Sequence, residues 1–261
     1  MTRSSSGGKN YTISGLRVPT GLVWRAEVRH GSSSYSLIES GSTSSSGFYT
    51  TGNNYYSVSL SVRVRWYDGS TPLGSWTTRS WSPPRVPNPS YTLSVSPGSG
   101  SGKNYSISGL SVPAGLVWRA QARHGSSSFS PIESGSRSSS GSFTTGTSYF
   151  TSITVSVRWY DGNTAIGSWV SRSWSAPSPS FSLSRQSIAT GTRYTVSGIN
   201  NPSGITWDAD VSSNNGSTWA GIARTNSASS RSFTTSVTGS ISVRIRFRHG
   251  SSSTGWVTRS V

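Results

Sequence analysis

Three histidines and seven carboxylates are the ordinary acid–base and metal-ligating side chains of this 261-residue chain, and it has no cysteine thiol. His30, His124 and His249 each sit in Arg-His-Gly-Ser-Ser-Ser. Metal ligands need spacing that lets them converge, as in His-x-x-x-His. Here the hexapeptide follows the third predicted strand twice and the penultimate strand once, which marks a favoured turn. The carboxylates are as scattered. Glu27 lies between Arg25 and Arg29 on one strand face, an ion-pair setting. Asp68 and Asp161 occur in Tyr-Asp-Gly turns, where Asp bonds its own backbone. Glu39 and Glu133 occupy equivalent loops as residual ligand candidates, and Asp208 and Asp210 interrupt the arginine pattern of the last third. There is no Gly-x-Ser-x-Gly elbow and no phosphate-cradling glycine loop. The expectation is a non-enzyme with no cofactor and no metal.

Arginine is the remaining chemical resource. Lys9 and Lys103 are the only lysines, and the formal charge is +16. Guanidinium pairs bidentately with phosphate and carboxylate and stacks on aromatic rings. A candidate polyanion or carbohydrate face gathers Arg25, Arg29, Arg63, Arg65 and Arg79 beside Trp81. A second copy follows with Arg119, Arg123, Arg158, Arg172 and Trp174. Such a face either stacks sugars and grips acidic polymers or serves only to stiffen its own domain.

Those residues need strands to hold them. In Val62 to Ser82, VRVRWYDGSTPLGSWTTRSWS, Val62, Val64 and Trp66 alternate with Arg63, Arg65 and Tyr67, the period-two mark of a half-buried strand. Tyr67-Asp68-Gly69 turns the chain and a second extended run ends at Trp81, predicting a hairpin. It recurs at Val155 to Ser175 and, more divergently, at Val243 to Val261. Upstream, Tyr11 and Ile13 mark a short strand, then Leu22, Trp24, Ala26 and Val28 alternate against Arg25, Glu27 and Arg29. An irregular segment around Tyr35 to Ser40 and a short strand at Phe48 to Thr51 complete the unit. Trp24, Trp118 and Trp207 are equivalent, at a spacing that means whole domains in tandem rather than the short units of a solenoid.

Proline-rich joints, Ser82 to Pro89 and Ser175 to Pro179, are expected to be short and semi-rigid. Each leads into a new strand, Tyr91 to Val95 and Phe181 to Ser184. About seven short strands and a tryptophan on the third resemble the immunoglobulin and fibronectin type III sandwiches. The run Ser-Trp-x-x-Arg-Ser-Trp-Ser at 75–82 loosely resembles the tryptophan–arginine ladders of cytokine receptor modules. The expected fold is all-β: three tandem immunoglobulin/fibronectin type III-like antiparallel sandwiches, 1–84 (lacking the first strand), 85–176 and 177–261.

Val, Leu, Ile and Phe make only about 18% of the chain, a level that with high charge leans toward disorder. Regular alternation and 11% aromatics argue instead for folded β structure with a thin core. Met1 to Gly8 lacks the apolar stretch of a signal peptide, and no run reaches membrane-spanning length. The expectation is a structural or interaction protein: an extended rod on a virion, filament or cell surface. The alternative is a carbohydrate- or polyanion-binding module. The expected partners are further copies or a larger particle, or an anionic polymer. A candidate assembly edge follows from the missing strand: Lys9, Tyr11 and Ile13 left open, to be met head-to-tail by Trp256 to Val261 of another copy.

Overall fold

In the computed structural model, which describes residues 1–52, 54–237 and 239–261, every regular element is a β-strand. The middle repeat shows the plan in full. One sheet has the order β12 (Gly141–Thr145), β9 (Lys103–Ser108), β8 (Thr92–Pro97). The other runs β11 (Ser130–Ser136), β10 (Val117–His124), β13 (Ile153–Asp161), β14 (Thr164–Trp174). All pairings are antiparallel. A three-stranded sheet thus faces a four-stranded one, the architecture of the immunoglobulin/fibronectin type III-like sandwich.

The same plan recurs on both sides. In the first repeat β1 (Thr2–Arg3), β2 (Lys9–Ile13) and β5 (Gly47–Thr51) face β4 (Ser36–Ser42), β3 (Val23–His30), β6 (Leu60–Asp68) and β7 (Thr71–Trp81). In the third, β15 (Ser182–Ile188), β16 (Gly191–Ser197) and β19 (Arg231–Thr235) face β18 (Ala220–Asn226), β17 (Thr206–Ser212) and β20 (Ser242–His249). There the last strand is split into β21 (Ser252–Ser253) and β22 (Val257–Ser260), both on β20.

Two sequence expectations change. The segment around Tyr35 to Ser40 is not irregular: β4 pairs with β3, but bulges on either side of Ala26 shift the register and erase the alternation that would have betrayed a strand. The first strand of the first repeat is not wholly missing either. Thr2 and Arg3 pair with Asn10 and Lys9, where Ser96 and Pro97 pair with Asn104 and Lys103 in the second repeat.

Each core is built on its third-strand tryptophan. Trp24, Trp118 and Trp207 are 0% exposed and lie across the strand pair from Trp66, Trp159 and Phe247. Burial leaves one polar atom to satisfy. Their indole Nε1 groups donate to the Ser44, Ser138 and Ala228 carbonyls, each at 2.8 Å. The cores differ in completeness. Val155, Val157 and Trp159 are buried on β13, whereas their counterparts Val62, Val64 and Trp66 on β6 remain half-exposed.

The repeats are tied together by a recurring device. Tyr56 packs against the core of the second repeat and donates its hydroxyl to the Ala114 carbonyl at 2.6 Å. At the equivalent place Tyr149 and Phe150 pack into the core of the third. Arg3 reaches across the first joint to Asp161 at 2.7 Å, a carboxylate whose side chain is 1% exposed. Asp161 is therefore more than the turn residue its Tyr-Asp-Gly setting implies. Asn54 also bonds Thr164 at this joint. At the second joint His249 Nε2 meets the Gly98 carbonyl at 3.0 Å, and a Cβ on Gly250 would fall 2.5 Å from the Gly100 carbonyl oxygen. Only glycine permits that approach, which fixes the role of one Arg-His-Gly turn.

Candidate functional site

The outer face of the four-stranded sheet carries the guanidinium groups, because β3 and β6 alternate apolar-in and arginine-out. In the first repeat Arg63 lies 4.0 Å from the Tyr35 ring and 4.5 Å from the Trp76 ring, and Arg29 lies 5.0 Å from the Tyr35 ring. Arg65 lies 6.0 Å from Trp76, and Arg25 stacks on Tyr67 at 4.2 Å. In the second repeat Arg119 stacks on Tyr160 at 4.2 Å, Arg158 lies 6.0 Å from the same ring, and Arg123 covers Phe129 at 4.9 Å. The third repeat holds Arg244 between Trp219 and Trp256, with Arg246 also on Trp256.

Four predicted members do not join this ladder. Arg79 pairs across from inward-facing Val62, and Trp81 from Leu60; Arg172 and Trp174 repeat this opposite Val155 and Ile153. Strand parity sends Trp76 outward and therefore 77, 79 and 81 inward. An arginine is accommodated there because the sheet edge lets its head reach solvent. Trp256, expected at an assembly end, belongs instead to the ladder of the third repeat. Val261 exchanges both backbone hydrogen bonds with Ile241 and packs on the core.

Carboxylates distribute unevenly under the ladders. Glu27 accepts from Arg63 Nε at 2.7 Å. Asp210 pairs with Arg224 and Arg244, and Asp208 with Arg246 and Arg248. Arg244 and Arg224 hold the Asp210 carboxyl below the ordinary carboxylate range against the opposing effect of burial. Gln121 occupies the matching place in the second repeat. Among the described residues, Arg119, Arg123 and Arg158 have no carboxylate partner; Arg119 bonds the Gly162 carbonyl and Asn163 instead.

The two lysines are inside, which composition does not reveal. Lys9 and Lys103 are 0% exposed, directing Nζ to the Asn54 and Thr151 carbonyls and lying 5.7 and 5.5 Å from the Trp81 and Trp174 rings. Burial pushes the Lys103 ammonium down to about 8 and also lowers Lys9. A matching signal does exist in the repeats: where the third carries Thr192 in place of lysine, it carries Val261 in place of tryptophan. Tyr11 is likewise buried, stacked on Tyr49 at 5.6 Å, while Ile13 is half-exposed at the edge.

Among the described residues no three His, Asp or Glu side chains converge on a metal-sized site. Among the described residues no helix is long and apolar enough to cross a membrane. Solved structures to which the chain is similar include the following two. A two-domain fibronectin type III segment of chicken tenascin is 18% identical over 67% of this chain and 99% of that one, with a TM-score of 0.32. The chicken interferon gamma receptor alpha chain is 11% identical over 68% and 99%, with a TM-score of 0.29. No family model matches the chain, and no curated protein does.

Proposed function

We propose that this is a non-catalytic structural and interaction protein: three sandwich domains, 1–84, 85–176 and 177–261, joined as an extended rod in a virion, filament or cell-surface assembly. Tandem sandwiches of this fold serve as structural or interaction modules. The observation that carries the reading is the repeated joint, in which aromatic side chains of one repeat pack into the core of the next, reinforced at the first joint by an arginine that closes on a buried carboxylate. Joints built this way favour a stiff array over beads on a string. Small-angle scattering should give one extended, rigid particle, and Arg3→Ala should loosen the first joint at a cost of about 1–2 kcal/mol. A native profile that fits only freely jointed domains would overturn the rod.

A second reading, binding of an acidic polymer, is favoured specifically at the second repeat, whose ladder lacks the carboxylates found in the other two. Retention on immobilised heparin should fall steeply with salt, because binding releases condensed counterions. Arg119→Ala combined with Arg158→Ala should flatten the salt slope by about 2, whereas Arg63→Ala, removing a residue already paired with Glu27, should not. Equal effects of both variants, or salt-insensitive retention, would eliminate this site.

A further inference from the structure

The first joint holds a cleft of about 420 Å³, within the range of small-molecule sites, about 300–1,000 Å³. Ser5, Ser6 and Asn54 of the first repeat line it together with Arg137, Asp161 and Asn163 of the second. Arg3 lies at its margin directly against Gly115, where a Cβ would fall 2.8 Å from Arg3 Nε. From there Nη2 donates to Asp161 Oδ1 at 2.7 Å. The other carboxylate oxygen, Oδ2, is buried with no hydrogen-bond partner among the described residues, and so is Arg3 Nε. An ionised oxygen kept from water without a donor costs free energy, so this pair is only half satisfied. Arg137 is exposed and has no carboxylate partner among the described residues. Asn163 gives Oδ1 to Arg119 at 2.8 Å, which leaves its amide N–H groups to donate elsewhere.

The second joint shows that docking of the repeats needs none of these groups. Pro97 stands there in the place of Arg3, His249 in that of Asp161 and Ser227 in that of Arg137. Contact is direct, with His249 Nε2 on the Gly98 carbonyl and Gly250 against the carbonyl of Gly100. In that repeat β8 reaches the joint at Pro97, and its earlier residues pair progressively farther along β9. Chain ahead of Arg3 likewise leads away from the first joint, so the cleft belongs to the side chains that line it.

We infer that this cleft binds a sugar acid, a pyranose unit carrying one carboxylate. Charge and hydrogen-bonding capacity select it together. Two guanidinium groups against one carboxylate disfavour a metal cation. A bare acid anion would suit Arg137 but bring no donor to Asp161 Oδ2, whose charge would repel it. A sugar acid supplies both halves: a ring hydroxyl donates to Asp161 Oδ2, and the carboxylate takes the planar guanidinium of Arg137. Its remaining hydroxyls accept from Asn163 and exchange hydrogen bonds with Ser5. The site is separate from the outer-face ladder and holds whether or not that ladder binds acidic polymers.

The probe is methyl β-glucuronide titrated into the full chain and followed by the amide resonances of Gly115, Gly162 and Asn163. Saturable shifts at these positions are expected. Methyl β-glucoside, which lacks the carboxylate, and acetate, which lacks the ring, should each bind about tenfold more weakly or worse. Arg137→Ala should weaken glucuronide binding by a similar factor and leave the melting temperature unchanged, and Arg137→Lys should recover part of the affinity. Arg158→Ala, on the ladder outside the cleft, should leave it unaltered. Absence of saturable shifts at tens-of-millimolar glucuronide would overturn the site. So would acetate or the glucoside binding as tightly as the glucuronide, or full affinity in Arg137→Ala. Binding abolished by Arg158→Ala would also overturn it, by moving the sugar to the ladder. Every variant leaves the Arg3–Asp161 pair intact, so the rod is tested separately.

Discussion

Trp118→Ala should unfold the second repeat at 37 °C or leave it barely stable, at a cost of about 3–5 kcal/mol. The indole is 0% exposed in a core of valines, isoleucines and alanines that cannot collapse onto the void without moving the strand pair holding Trp159 opposite. Truncation also removes the donor to the Ser138 carbonyl, leaving a partly buried acceptor unpaired. Denaturant titration followed by far-ultraviolet circular dichroism would show the loss as a separate early transition. Because Tyr149 and Phe150 anchor the second repeat in the third, that transition should drag the second joint with it. An unchanged melting profile would mean that Trp118 does not hold the core together.

Stability should rise, not fall, as the solution is made alkaline from pH 8 to about pH 10. Lys103 is held down to about 8 by burial, while an unfolded lysine titrates near 10.4. Between those values the unfolded chain binds more protons than the folded one, so folding is penalised below about pH 8 and the penalty is lifted as pH climbs. The full effect is about 2–3 kcal/mol, with Lys9 acting in the same direction. Buried phenols set the upper limit. Tyr91 is pushed up to about 12, and Tyr105 and Tyr149 are also raised by burial, so the folded state favours their neutral forms. Unfolded tyrosines ionise from about pH 10, and stability drains away above it. Urea midpoints across pH 7 to 11 should therefore pass through a maximum near pH 10. Lys103→Met should flatten the rise, and a monotonic decline from pH 7 would refute the account.

Alternation and internal repetition made the tryptophan cores, the hairpins and most of the arginine ladder readable from the sequence. Trp24, Trp118 and Trp207 stand where period two puts them, and Arg25, Arg63 and Arg65 project as that parity requires. Legibility ended where parity had two self-consistent answers. Trp76 and Trp81 are five residues apart and must lie on opposite faces, but nothing local says which one faces out; the wrong choice also carries Arg79 with it. Bulges hid β4 by breaking the pattern at Ala26. Asp161 and Arg3 are 158 residues apart, and neither neighbourhood advertises the other. Lysine burial was obscured by a sound general rule, that ammonium groups stay in water, which the Thr151 carbonyl and the Trp174 ring locally overrule.

The interior position of Lys9 and Lys103 has a practical corollary for the chemistry of this surface. Acylating reagents, aldehydes and enzymes that build isopeptide linkages all need an accessible, unprotonated amine, and guanidinium is no substitute at ordinary pH because it stays protonated. The chain therefore presents a strongly positive exterior, supplied by arginine, that is almost inert toward lysine-directed coupling. Its charge attracts without offering a lysine amine as nucleophile. Labelling, cross-linking or conjugation aimed at lysine would report on breathing of the two sandwiches rather than on what their outer faces touch.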